Sequence, residues 1–162
     1  MSEATLTGGC QCGAVRFRVG RLGRGSICHC RMCQKAFGNF YAPLISSFEV
    51  VWTRGQPAYF QSSNKVRRGF CAACGTPLTY ELLDRGDHEE IEMAIAAFDD
   101  PTLAAPAIQV NPHDKLPFTD ALAMLPTRVE DTEQAAFNAS VVSYQHPDHE
   151  TAVWPPRGGR HD

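Results

Sequence analysis

The chain has 162 residues, 43% hydrophobic and 20% charged, which suits one soluble domain with a sizeable core. Its formal net charge of −3 speaks against a polyanion-binding protein, and no apolar run is long enough to span a membrane, so neither nucleic acid nor a membrane is an expected partner. The start, Met1-Ser2-Glu3-Ala4-Thr5, carries no basic-then-apolar leader, so a cytoplasmic protein with reduced thiols is expected; an odd count of seven cysteines also argues against disulfide pairing.

In chain order, residues 1–7 read as loose, with Leu6 opening a strand. Gly8-Gly9-Cys10-Gln11-Cys12-Gly13 is a glycine-framed turn. Ala14 to Val19 alternates apolar and basic residues, the pattern of a half-buried strand. Gly20 to Gly25 holds three glycines and reads as a loop. Then comes the densest stretch of chemistry, Cys28-His29-Cys30-Arg31-Met32-Cys33, three thiols in six positions. Arg31 to Phe37 favours a short helix that Gly38 can stop, with Cys33 in its first turn. His29, midway in an extended Cys-His-Cys, should point away from the two flanking sulfurs.

Short strands are predicted over Phe40–Ile45, Phe48–Thr53 and Ala58–Gln61, with Ser46-Ser47 and Arg54–Pro57 as turns. Lys65–Phe70 leads into Cys71-Ala72-Ala73-Cys74-Gly75, and Thr76–Leu82 leaves it as another strand. A turn over Asp84–Asp87 precedes the alternating strand Glu90–Ile95, and Ala107–Val110 is a further candidate. So many short strands suggest an all-β core of antiparallel sheets. Residues 114–126 read as loop with a helical turn. Asp131 with Gln134 resembles a capping box and predicts a helix within 131–144. Residues 1–145 form one domain on this reading, and 146–162, rich in Pro, Gly, Arg and His, a mobile tail in which His146 and His149 sit on a surface loop.

All seven cysteines fall in three tight clusters, the spacing by which thiolates reach one metal. Cys28, Cys30 and Cys33 can make a site alone; Cys10, Cys12, Cys71 and Cys74 complete another by joining two distant turns. A four-sulfur zinc is closed and structural, whereas a three-ligand zinc keeps one position for water or substrate. The alternative that spacing leaves open is an unfilled or partly oxidised three-cysteine group, its thiolates exposed to a small thiol or oxidant. Arg31, Lys35, Arg67 and Arg68 lie near the clusters in sequence and would offset thiolate charge; Arg31 and Lys35 are the candidates for binding an anionic substrate.

The segments Gly8–Val15, Cys28–Lys35 and Phe70–Leu78, with the later Lys115-Leu116-Pro117-Phe118, resemble the glutathione-dependent formaldehyde-activating enzyme family, which also includes centromere protein V. The resemblance spans roughly residues 5–128. It implies a mainly β, Mss4-like sandwich with short helices, stapled by two zinc ions. It assigns Cys10, Cys12, Cys71 and Cys74 to a structural zinc, and Cys28, Cys30 and Cys33 to a second, catalytic zinc. It further implies a carbon–sulfur lyase acting on a thiol–aldehyde adduct such as S-hydroxymethylglutathione, with glutathione as co-substrate. A zinc on three thiolates carries one net negative charge, so positioning of the thiol should outweigh carbonyl polarisation. The competing expectation is a non-catalytic zinc module that binds a protein partner.

Overall fold

A computed structural model describes residues 6–84, 86 and 89–155. Among the described residues, ten strands and two α-helices follow one another as β1 Leu6–Gly9, β2 Arg16–Val19, β3 Arg21–Cys28, α1 Arg31–Phe37, β4 Ala42–Phe48, β5 Val51–Arg54, β6 Ala58–Gln61, β7 Val66–Phe70, β8 Pro77–Leu82, β9 Ile91–Ala94, β10 Pro106–Val110 and α2 Thr132–Ser140. Short 3-10 turns fill the stretches 95–104 and 112–124. The architecture is mainly β, with helices confined to the periphery.

The strands form two sheets. One has the order β1-β2-β5, the other β10-β3-β4-β9-β8-β7-β6. Their facing sides share the core: Phe17, Leu78 and Met93 are fully buried, with Val15, Val19, Ile45, Ala94 and Phe98 around them. Phe17 sits edge-on to both Phe98 (5.2 Å) and Trp52 (6.0 Å), the geometry aromatic quadrupoles favour. A bridge between Gly8 and Phe98 ties the small sheet to the chain leaving the large one. At Gly8 any Cβ would sit 2.3 Å from the Ala97 carbonyl, so glycine is what permits that approach.

Several expectations need correction. The glycine-rich stretch 20–25 is not a loop; most of it is strand, β3, with an irregular register between Leu22 and Gly25. Its glycines admit close neighbours: a Cβ on Gly25 would stand 2.7 Å from the Ala105 carbonyl, beside the incoming β10. Ser46 and Ser47 do not turn the chain. They lie inside β4, where Ser47 is fully buried and returns its hydroxyl to the Ile45 carbonyl. The turn falls later, at Glu49, which takes a positive φ of 56°. The next strand correspondingly begins at Val51 rather than Phe48. The sheets are not wholly antiparallel either, since β10 pairs with β3 in parallel.

The helix over Arg31–Phe37 is present, ended by Gly38 in the left-handed region (φ 57°). α2 is capped by Asp131, whose side chain accepts the Gln134 amide. The expected turn at 84–87 falls in part outside the described residues, as do residues 1–5 and 156–162.

The stretch 146–155 differs from the mobile tail expected of it. His146 is buried, and its amide donates to the Gln11 carbonyl at 2.8 Å. Trp154 Nε1 donates to the Cys12 carbonyl at 2.7 Å, and its ring meets His146 edge-on at 5.0 Å. Arg54 donates to the carbonyls of Gly13 and Thr151, and Arg16 reaches Glu150 at 3.0 Å. The composition that reads as disorder is offset by one tryptophan, one buried histidine and two arginines contributed by distant strands.

Candidate metal centre and adjoining groove

The first cluster joins two turns. Cys10 and Cys12 leave β1 in a tight loop closed by the Gly13 amide on the Cys10 carbonyl (3.0 Å) and the Cys10 amide on the Val15 carbonyl (2.9 Å). Cys71 and Cys74 sit in the knuckle between β7 and β8, closed by the Gly75 amide on the Cys71 carbonyl at 2.8 Å. Gly75 has φ 78°, the left-handed conformation the turn requires. The four sulfurs lie within 4.8 Å of one another; Cys10 and Cys12 are 3.6 Å apart, Cys12 and Cys71 3.8 Å.

Electrostatics within this group are opposed. Burial pushes the Cys10 thiol up to about 12, against the pull of the Val15 amide, and burial also raises Cys12. Burial works against Cys74 as well, but the Thr76 hydroxyl, 3.1 Å from its sulfur, and neighbouring backbone amides bring it down to about 6. Four soft sulfur donors at this spacing fit a tetrahedral zinc, and a dication is what allows them all to ionise together.

The second cluster gathers at the junction of β3 and α1. Cys28 ends β3, Cys30 is the N-cap of α1, and Cys33 lies in its first turn. Their sulfurs also lie within 4.8 Å of one another. Burial pushes Cys33 up to about 12 despite Arg68; at Cys30 burial is outweighed by the amides of Cys33 and Met32 and by the neighbouring sulfurs, and its thiol falls below the ordinary value. These three donors also fit zinc and leave one ligand to come from elsewhere.

Around this cluster the chain supplies polar support from afar. Arg68 Nη2 donates to Cys33 Sγ at 3.4 Å and Asn111 Nδ2 to Cys28 Sγ at 3.5 Å. Arg68 is 7% exposed and lies over the Tyr80 ring, 5.0 Å from its centroid. Burial raises the Tyr80 phenol, so it stays protonated beside the sulfurs. Gln34 is buried and donates to the His29 carbonyl at 2.7 Å, locking the turn between Cys28 and Cys30. His29 is buried with Nε2 2.9 Å from Gln109 Oε1, and it stands outside the cluster.

Among the four nearby cations, the structure separates roles that sequence proximity merges. Arg67 pairs with Glu81 at 2.7 Å, away from the sulfurs. Arg68 alone of the four reaches a cysteine sulfur. Arg31 and Lys35 line a groove of about 380 Å³ between α1 and the β6–β7 hairpin, together with Arg68. A cavity of about 410 Å³ lies elsewhere, between the four-cysteine cluster and His146, but four protein sulfurs saturate a tetrahedral ion there. The three-donor cluster and its cationic groove are therefore the better place for chemistry.

Thr76, Asn111, Tyr80 and Gln109 escape sequence reading. Thr76 had one local signal, its position two residues beyond Cys74. Tyr80 and Asn111 come to the cluster, and Gln109 to His29, only through strand pairing: β10 on β3 aligns Val110 with Cys28, and Asn111 follows.

Fold and site define a mainly β protein with two zinc-compatible thiol clusters, one of four sulfurs and one of three. A family model described as "Glutathione-dependent formaldehyde-activating enzyme" matches residues 5–113, and the chain belongs to that family. The fold is similar to that of a Rhodobacter sphaeroides protein solved by crystallography in a structural-genomics effort, at 22% identity and a TM-score of 0.50, over 64% of this chain and 99% of that one. The two-sheet architecture is consistent with an Mss4-like fold. No helix among the described residues is long and apolar enough to cross a membrane.

Proposed function

We propose that the protein is a cytoplasmic carbon–sulfur lyase-type enzyme acting on a thiol–aldehyde adduct such as S-hydroxymethylglutathione. On this reading Cys10, Cys12, Cys71 and Cys74 hold a structural zinc, and Cys28, Cys30 and Cys33 a catalytic one. The observation that carries it is the three-sulfur cluster beside a groove lined by Arg31, Lys35 and Arg68.

Zinc bound there would favour the thiolate form of a free thiol and hold it in the fourth position. The chain's own groups do the rest. Arg68 balances the sulfur charge through Cys33, and Asn111 fixes Cys28, so the cluster keeps its shape when a further anion arrives. Arg31 and Lys35 hold a carboxylate of the thiol. In the cleavage direction the carbon–sulfur bond breaks, its electron pair goes to sulfur, and the adduct's hydroxyl becomes the aldehyde carbonyl as its proton departs. Addition of thiol to aldehyde is the same step reversed.

The test is exchange of ¹³C-formaldehyde into S-hydroxymethylglutathione, followed by NMR with zinc-loaded protein. Exchange should exceed the buffer rate and fall back to it in Cys33→Ser, which should retain one zinc rather than two. Replacing Arg31 and Lys35 by alanine should raise KM for glutathione. Exchange at the buffer rate, with both zinc ions present, would leave the non-catalytic zinc module as the better reading.

A further inference from the structure

The groove that reaches the three-cysteine cluster through Arg68 has an apolar wall that formaldehyde, with no carbon beyond its carbonyl, does not account for. From α1 it takes Arg31, Met32, Lys35 and Ala36; from the hairpin opposite, Phe60 and Arg68. Its volume, about 380 Å³, is in the range of small-molecule sites. Met32 and Phe60 are 55% and 65% exposed, and both line the groove beside its cations. No acidic residue lines it.

Arg68 marks the groove as built rather than incidental. Its Nε donates to Ser62 Oγ at 3.2 Å and its Nη2 to Cys33, while the buried Nη1 has no partner among the described residues. Phe60 and Arg68 are cross-strand partners on β6 and β7, so the apolar wall and the buried cation share one register. Charge and shape together call for an anion with an apolar body.

We infer that the apolar wall of this groove, made by Met32, Ala36 and Phe60, receives the carbonyl-derived half of the adduct, and that the preferred substrates derive from apolar aldehydes of several carbons rather than from formaldehyde. The inference rests on the cluster of Cys28, Cys30 and Cys33 being the place where the carbon–sulfur bond is made and broken. The sulfur stands at the cluster, the thiol's carboxylates lie on Arg31 and Lys35, and the aldehyde's alkyl or aryl group lies on Met32, Ala36 and Phe60. The balance of the reaction is unchanged: R–CH(OH)–S–R′ gives R–CHO and R′–SH, the electron pair of the broken bond going to sulfur together with the hydroxyl proton.

Thioethers separate this from the lyase reading, because they bind without reacting. Titration calorimetry of the zinc-loaded protein would compare S-hexylglutathione with S-methylglutathione. Burial of only two of the five added methylenes gives about tenfold tighter binding, so at least that preference is expected. Met32→Ser with Phe60→Ser should abolish the preference and leave S-methylglutathione binding intact. Both positions are exposed, so the variant should fold, and circular dichroism would check it. Equal affinities in the wild type, no binding of either thioether, or a hexyl preference that survives the double substitution would each overturn the inference. A clear hexyl preference without turnover of any adduct would uphold the groove and remove the lyase reading alone.

Discussion

Arg16 shows how much one charged residue can carry here. It is 2% exposed, donates two hydrogen bonds to Asp99 (2.8 and 2.5 Å) and reaches Glu150. Burial alone would raise the Asp99 carboxyl, but Arg16 and the Thr7 hydroxyl outweigh it and hold the group below the usual carboxylate range. A depressed carboxylate contributes stability that is present in full above its unfolded value near 3.9, and that is lost as pH falls through the lower folded value. Asp99→Asn should therefore cost about 3 kcal/mol at pH 7, because it strands most of a buried guanidinium. The difference from wild type should shrink steadily below about pH 4. Urea unfolding at pH 7, 4 and 3 would check this, and a gap that stays constant with pH would contradict it. None of this was legible from the sequence, where Arg16 reads as the outward residue of an alternating strand.

At the level of elements, two segments govern the clusters without donating a sulfur. β10 lies parallel against β3 and delivers Asn111 to Cys28, and it can approach because position 25 is glycine. Gly25→Val should push β10 outward, costing about 1–3 kcal/mol. It should also weaken metal retention at the three-cysteine cluster more than at the four-cysteine one, which chromophoric chelator competition would resolve. The second segment is 146–155, held by Trp154 on the Cys12 carbonyl. Trp154→Ala should lower stability by about 2 kcal/mol, a fall in Tm of roughly 4–8 °C for a chain of this size. Chelator-driven loss of metal from the four-cysteine cluster should speed up as well. An unchanged release rate would mean the segment merely rests on the turn. Helices and most strands were legible because their signals are local: the capping pair Asp131 and Gln134, Gly38 after α1, the alternation of 90–95. The strand character of 21–25 and the packing of 146–155 were not, since the first is fixed by pairing with β4, twenty or more residues on, and by β10 against Gly25, and the second by partners ninety or more residues away.

For the whole molecule, the clusters divide the labour of holding the fold. The four-cysteine cluster closes a loop of about sixty residues, from the β1–β2 turn to the β7–β8 knuckle. Zinc bound there would turn its binding free energy into folding free energy, and at about 10–16 kcal/mol that is comparable to the whole stability of an ordinary domain. The three-cysteine cluster is local to one strand–helix junction and spans six residues. A strong chelator should therefore strip the zinc-loaded protein in two phases. The first equivalent should leave with near-ultraviolet circular dichroism intact, and the second should take the tertiary signal with it. Loss of both in one phase without unfolding would contradict this division. The allocation of cysteines was readable from spacing, because thiols one or two residues apart have few geometric alternatives. The groove was half readable: Arg31 and Lys35 flank Cys33 in sequence, whereas Phe60 and Arg68 arrive through the sheet.

The packing of 146–155 over the first turn also has a consequence in time. All seven cysteines have been synthesised by residue 74, whereas His146 and Trp154 follow about seventy to eighty residues later. At the usual pace of translation, about 5–20 residues per second, that interval lasts several seconds. During it the Cys10–Cys12 turn and the Cys71–Cys74 knuckle can meet with nothing yet laid over them. If zinc is the occupant, it can thus enter an uncovered cluster on the nascent chain before 146–155 are made to lie over it.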